Sequence, residues 1–334
     1  MNHFIFTVKQ LISSIAAILC FFSGINYDLH GTSLIFHHEG HTIPAYAEVA
    51  LRQAAYFNPT MPIYVLTNYM SVKCLQQVDL PKNVHLVRLD KLPKSHLHKA
   101  FEKKKQSFYQ SRFFLGLKDL NWFCYDRFFS LYDFLLSTEI TKVFLLENDV
   151  LTYCEFDPIT QHLEEIDIGF TAMSESLIIC GISYFKNLKS VETLCRFILD
   201  YFDPETVDMA FWPKFKKAFP DIAHDLPVMT PAEFDRQKVI ASDHFKPLNL
   251  FDQLNSIFDH AAYGQYLCPG DGYKRFINRS CAIDPSLLTY RWAHDLKGRK
   301  CPFIVSKDHP QAQMVKINNL HVHSKNLKSY KSYP

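Results

Sequence analysis

Glycine is scarce in this chain, with 10 among 334 residues against 17 prolines, and no G-x-G-x-x-G turn occurs. A glycine-rich dinucleotide turn is thereby excluded, and stiff proline-marked connections are expected instead. No C-x-x-C pair is found among the nine cysteines, and an odd number leaves one over if all the others pair. That pattern speaks against a zinc module or a disulfide framework. Cys124 and Cys180 stand beside Phe123 and Ile179, where a cysteine reads as a small buried hydrophobe. An excess of either charge is also missing, since 36 Lys and Arg face 34 Asp and Glu for a net +2. Nothing here offers a broad nucleic-acid footprint, so no nucleic-acid partner is expected and any bound anion must meet a local cluster.

Against these absences stand 48% hydrophobic residues, with 29 Phe and 17 Tyr. That is ample core for an ordinary globular chain of this length, and the lack of repeats or low-complexity linkers favours one domain. At the start, Lys9 precedes an apolar stretch from Leu11 to Ile25, broken only by Ser13, Ser14 and Ser23. It reads as a signal h-region or a short membrane anchor, with a buried N-terminal helix as the alternative, because it is shorter than the roughly 20 residues that span a bilayer. Membrane association through this segment is expected, and a cytoplasmic location otherwise.

Leu34 to Phe36 predict a short strand, and Pro44 opens a helix through Ala55 that Asn58 and Pro59 stop. Ile63 to Leu66 and Val84 to Leu89 predict two more strands, so strand and helix alternate as in a mostly parallel sheet flanked by helices. Lys91 to Lys118 read as a long polar excursion with one helix around Lys99 to Tyr109. Phe128, Leu131, Tyr132, Leu135 and Leu136 recur at helical spacing before the continuous apolar run Val143 to Leu146, which suits a buried central strand. Further strands are expected at Ile166 to Ala172 and Leu177 to Phe185, helices at Val191 to Tyr201 and Leu254 to Leu267, and a last strand at Val315 to Val322.

Two segments carry candidate chemistry. Glu147, Asn148 and Asp149 follow the apolar run, and the end of a parallel strand is where open α/β sheets bind ligands. Carboxylate oxygens there suit Mg²⁺ or Mn²⁺. Near the C-terminus, His321, His323 and Lys325 alternate with Val322 and Ser324, so a strand places all three on one face. An imidazole can complete the coordination of such a metal, and an ammonium can meet a phosphate. Each segment also has a plainer reading, the first as a solvated acidic turn and the second as a polar edge strand. His37, His38, Glu39 and His41 evoke a zinc-protease signature, but the spacing fails and the residues fall in a glycine-containing turn.

Together these segments resemble the GT-A superfamily of nucleotide-sugar glycosyltransferases over Leu34 to about Asn326. The resemblance lies in Tyr125 to Phe128 leading into Leu146 to Asp149, in Cys180 to Asn187, in Asp259 to Tyr266, and in Asn319 to Lys325. It implies a GT-A-like, Rossmann-like α/β fold over residues 31–328, after an apolar segment 1–30 and before a basic tail 329–334. Asp149 resembles the principal metal ligand, Glu147 the first acidic position, and His321 or His323 the late ligand. Glu147 stands where aspartate is usual, which leaves its role open between metal, ribose and water. The resemblance further implies that Arg127, Asn148 and Lys325 bind the nucleotide diphosphate, and that Asp259 and Gln265 meet sugar and acceptor. Asp259 is then a general base or a sugar ligand; alternatively it caps the helix that follows. The expected activity is metal-dependent transfer from a nucleotide-sugar, UDP-linked by analogy, to a carbohydrate, lipid or protein hydroxyl. The rival expectation is a catalytically silent nucleotide- or carbohydrate-binding protein.

Overall fold

A computed structural model of the chain describes residues 31–40, 42–110, 118–268, 281–305 and 314–334. The apolar N-terminal segment and His41 lie outside the described residues. Among the described residues no helix is long and apolar enough to cross a membrane.

Thirteen strands occur among the described residues: β1 Ser33–His38, β2 Ile63–Thr67, β3 Val84–Arg88, β4 Val143–Leu146, β5 Val150–Thr152, β6 Ile168–Ser174, β7 Leu177–Phe185, β8 Ala223–Asp225, β9 Ser256–Ile257, β10 Thr289–His294, β11 Lys300–Val305, β12 Met314–Ile317 and β13 Asn319–His321. Seven form the main sheet in the order β3-β2-β1-β4-β7-β6-β8. β1 pairs in parallel with β2 and β4, and β2 with β3, as the alternation of strands and helices predicts. β7 runs antiparallel to both β4 and β6, so the sheet is mixed. Leu34, Phe36, Leu145 and Leu146 are buried, in keeping with a central position covered on both faces.

The expected helix after β1 is Ala45–Phe57, with Pro44 at its N-cap and Asn58 at its C-cap. Leu188–Tyr201 starts where the Asn187 side chain accepts from the Ser190 N–H at 3.0 Å. Lys118–Leu136 packs on it, burying Trp122, Tyr125, Phe128 and Phe129. The stretch from Lys91 to Lys118 departs from the expected polar excursion. It contains two short helices, His96–Glu102 and Lys105–Gln110, that bury Leu97, Phe101 and Phe108. Phe101 stacks on Trp122 with ring centroids 4.3 Å apart, so sparse aromatics anchor a surface otherwise rich in lysine.

Two more expectations are corrected near the C-terminal half. The helix expected over Leu254 to Leu267 is interrupted at Asn255 and Ala261, whose φ angles of 45° and 75° are left-handed. A four-residue helix, strand β9 and the helix Ala262–Leu267 result. The single strand expected over Val315 to Val322 divides at Asn318, whose N–H bonds to Ile257 and whose carbonyl accepts from Tyr153. β12 thus joins β9 and β11 in a four-stranded sheet, while β13 crosses to pair with β5.

Candidate metal centre

The change of partner at Asn318 brings the two candidate segments together. β13 lies antiparallel to β5 with His321 opposite Val150, and the Val322 N–H donates to the Asp149 carbonyl at 2.8 Å. Upstream, the Glu147 N–H donates to the Gly181 carbonyl on β7 at 3.0 Å, and Val150 N–H closes the turn onto the Glu147 carbonyl at 3.1 Å. Asn148 turns away from the carboxylates. Its side-chain amide donates to the His37 carbonyl at 2.9 Å, tying the turn to the end of β1.

His321 Nε2 stands 3.1 Å from Glu147 Oε2 and 3.2 Å from Asp149 Oδ1. One ligand atom from each of Glu147, Asp149 and His321 lies within 4.8 Å of the other two. Two hard carboxylates and one imidazole, gathered about a point at the end of a central strand, fit a small divalent cation such as Mn²⁺ or Mg²⁺. The alternative between the late histidines narrows on geometry. His321 belongs to the cluster, whereas the His323 ring lies against the His321 ring with centroids 4.1 Å apart. The strand ends before His323, so His321, His323 and Lys325 do not form the expected row on one strand face.

Two cations flank the carboxylates. Arg127, from the helix Lys118–Leu136, is ion-paired with Glu147 through Nη1, and Lys325 is ion-paired with Asp149 Oδ2. Lys325 sits in a turn closed by its N–H to the Val322 carbonyl at 2.9 Å, with a left-handed φ of 60°. Its ammonium also lies 5.4 Å from the Tyr46 ring centroid. Burial pushes the Glu147 carboxyl up, but Arg127 and His321 overcome it and hold the group at about 2. At Asp149 burial is likewise outweighed, by His321 and Lys325, and the carboxyl stays well below its usual range. Burial disfavours the His321 imidazolium, yet Asp149 and Glu147 raise it to about 10. His323 goes the other way, lowered to about 3 by burial and by the neighbouring His321.

Asp259 supports the centre from behind. Oδ1 accepts from the Tyr263 N–H at 2.9 Å, and Oδ2 accepts from the N–H groups of Gly264 and His321, both at 2.8 Å. It therefore satisfies the first turn of the helix Ala262–Leu267 and fixes the backbone of His321 in one stroke. Burial raises its carboxyl to about 6 against the pull of these bonds. Gln265 lies on the same short helix, buried, with its Oε1 lacking a hydrogen-bond partner.

Two glycines make the fit possible: close helix packing is the role the sequence suggests for Gly264, whereas nothing in it marks Gly181. A Cβ on Gly181 would lie 2.7 Å from His321 Nδ1, and one on Gly264 would lie 2.2 Å from the His321 carbonyl oxygen. Gly181 is the floor on which the imidazole rests, and Gly264 admits the helix to the back of β13. The sequence shows the glycines but not what faces them.

A second group of acids and imidazoles lies near the ends of β1 to β3. His98 places Nδ1 2.5 Å from Asp133 and Nε2 3.3 Å from Asp126. His37 Nε2 lies 3.3 Å from Glu39. Beside this group is a pocket of about 550 Å³, lined in part by Glu39, Asn68, Leu89, Lys94, Trp122 and Asp126.

No family model matches the chain, and no curated protein matches it. Among solved structures it is similar to mouse xyloside xylosyltransferase 1, at 14% identity over 61% of this chain and 90% of that one, with a TM-score of 0.41. It is also similar to galactosyltransferase LgtC in complex with donor and acceptor sugar analogues, at 16% identity over 65% and 81%, TM-score 0.41. The PaToxG glycosyltransferase aligns at 12% identity over 64% and 81%, TM-score 0.37. At such identities and TM-scores, the geometry of the site and not the likeness must carry a functional assignment.

Proposed function

We propose that the chain is a metal-dependent glycosyltransferase that moves a sugar from a nucleotide-sugar, UDP-linked in the first instance, to a hydroxyl acceptor. The observation that carries this reading is the convergence of Glu147, Asp149 and His321, from positions 147 to 321 of the chain, about one point between Arg127 and Lys325. Such a point offers a divalent cation three ligands and offers a diphosphate an ammonium. The cation, Mn²⁺ or Mg²⁺, supplies Lewis-acid neutralisation of the departing nucleoside diphosphate.

The remaining work falls to the chain. Lys325 meets phosphate oxygen as the glycosidic bond lengthens, and so opposes charge that grows on the leaving group. Arg127 holds Glu147 and keeps it ionised. Asn148 pins the ligand-bearing turn to β1. Asp259 is a positioning residue here, because both its oxygens already serve backbone N–H groups. The pocket at the ends of β1 to β3 shares the strand-end edge with the cation site and takes the nucleoside half of the donor. Gln265 and His323 border the donor sugar in this reading.

A silent nucleotide-binding protein is the second reading, favoured by the fact that all four carboxylate oxygens of Glu147 and Asp149 already face nitrogens of the chain. Incubation with a panel of nucleotide-sugars and Mn²⁺, with released UDP measured, separates the two. Turnover that disappears in Asp149→Asn supports the transferase; metal-dependent UDP binding without any turnover across the panel supports the silent protein.

A further inference from the structure

Each oxygen of the two site carboxylates has a partner. Glu147 Oε1 meets Arg127, Glu147 Oε2 and Asp149 Oδ1 share His321 Nε2, and Asp149 Oδ2 meets Lys325. Two negative charges are thus matched by a guanidinium and an ammonium before the imidazole is counted. A bare divalent cation would add two positive charges to a balanced cluster, and at Asp149 it would have to dislodge Lys325. A cation carried by a nucleoside diphosphate is a different ligand. Its net charge is negative, and it brings phosphate oxygens to which an ammonium can transfer.

The two flanking cations differ in how readily they can move. The Arg127 side chain is 7% exposed and locked among the helices, whereas that of Lys325 is 45% exposed on a flexible four-carbon stem. Its backbone is pinned by the turn to Val322, so the head group can swing while its anchor stays.

We propose that Lys325 is an internal cation that competes with the metal for Asp149, so that the site takes a divalent cation as a chelate with a nucleoside diphosphate in preference to the cation alone. The inference rests on the glycosyltransferase reading of the same residues. Its distinguishing consequence is that removing one positive charge has opposite effects on two ligands: it tightens the bare cation and weakens the chelate. Metal and diphosphate are then coupled through Lys325, and the coupling is reciprocal.

The test titrates Mn²⁺ into the full chain and its Lys325→Gln and Lys325→Arg variants, with and without UDP, counting free Mn²⁺ by electron paramagnetic resonance. In the wild type, UDP is expected to tighten Mn²⁺ by tenfold or more, on the order of the coupling seen between linked sites. Lys325→Gln is expected to bind Mn²⁺ alone roughly tenfold more tightly than the wild type and to lose most of the gain from UDP, while Lys325→Arg stays near the wild type. Lys325→Gln that binds Mn²⁺ alone no more tightly than the wild type overturns the proposal. Wild-type binding of Mn²⁺ that is tight and indifferent to UDP overturns it too but leaves the metal centre standing. Absence of Mn²⁺ binding by all three proteins, with and without UDP, overturns both the competition and the glycosyltransferase reading beneath it.

Discussion

His98 and His321 each stand between two carboxylates, but they spend their nitrogens differently. His98 gives one ring nitrogen to Asp133 and the other to Asp126, so the ring is a filled bridge from the helix His96–Glu102 to the helix Lys118–Leu136. His321 directs Nε2 alone at both Glu147 and Asp149, which crowds three ligand atoms about one point. Residue type does not separate a packing device from a cation site. Convergence on a single atom does, together with access from the strand-end crevice: 25% of the Glu147 side chain is exposed, against 2% for Asp133.

Substitutions at the two places break the comparison in opposite directions. Removing a buried partner of His98 leaves an uncompensated group, so Asp133→Ala is expected to lower unfolding free energy by about 3 kcal/mol or more. Metal binding by the folded fraction should be unchanged, and urea denaturation paired with Mn²⁺ titration reads both quantities. Asp149→Ala is expected to do the reverse, weakening Mn²⁺ in the presence of UDP by roughly 100-fold, about 2.7 kcal/mol, while the chain stays folded by circular dichroism.

Gly181→Ala sharpens the difference, since its methyl meets the imidazole ring of His321 and nothing near His98. A stability loss of about 1–3 kcal/mol is expected from overpacking, with weaker metal binding. In a His321→Ala background the same change should cost much less, and a double-mutant cycle measures the coupling. If Gly181→Ala costs as much without the imidazole as with it, the strand and not the histidine is what the glycine serves.

The smallest effect is that of pH. Burial lowers the His98 imidazolium and Asp126 with Asp133 raises it, for a net rise from the ordinary 6.5 to about 9. A folded value above the unfolded one means that this stabilisation is fully present below pH 6.5 and is lost as pH climbs through about 9. Asp126 shifts upward through burial, His98 notwithstanding, and acts with the same sign from the acid side, its own loss beginning as pH rises above the ordinary 3.8. A loss on the order of 2 kcal/mol is therefore expected between pH 6 and pH 9, carried by His98. Urea midpoints at pH 6 and pH 9 for the wild type and His98→Gln check it: the variant should show a flatter profile.

The sequence makes some of this plain and conceals the rest for physical reasons. Strands β1, β2, β3, β4 and β7 announce themselves as short apolar runs between turn residues, and carboxylates just beyond β4 mark a strand end. His321 is visible as a histidine on a late strand. Its meeting with Asp149 is not, because that depends on the crossing at Asn318 and the pairing of β13 with β5, which no local pattern encodes. Asp259 reads equally well as an acid for chemistry or as a cap, and only its three backbone donors decide what it holds. His98 and Asp133 lie 35 residues apart, and the register of two packed helices is what joins them. Asn255 and Ala261 interrupt a helical pattern through left-handed turns at residues that do not require them.

The most direct test of the metal-centred account is calorimetric titration of UDP into the purified chain with Mn²⁺, repeated with chelator and with Asp149→Ala. Binding that requires both the metal and Asp149 is the predicted result. UDP bound equally well after chelation, or equally well by Asp149→Ala, would contradict it.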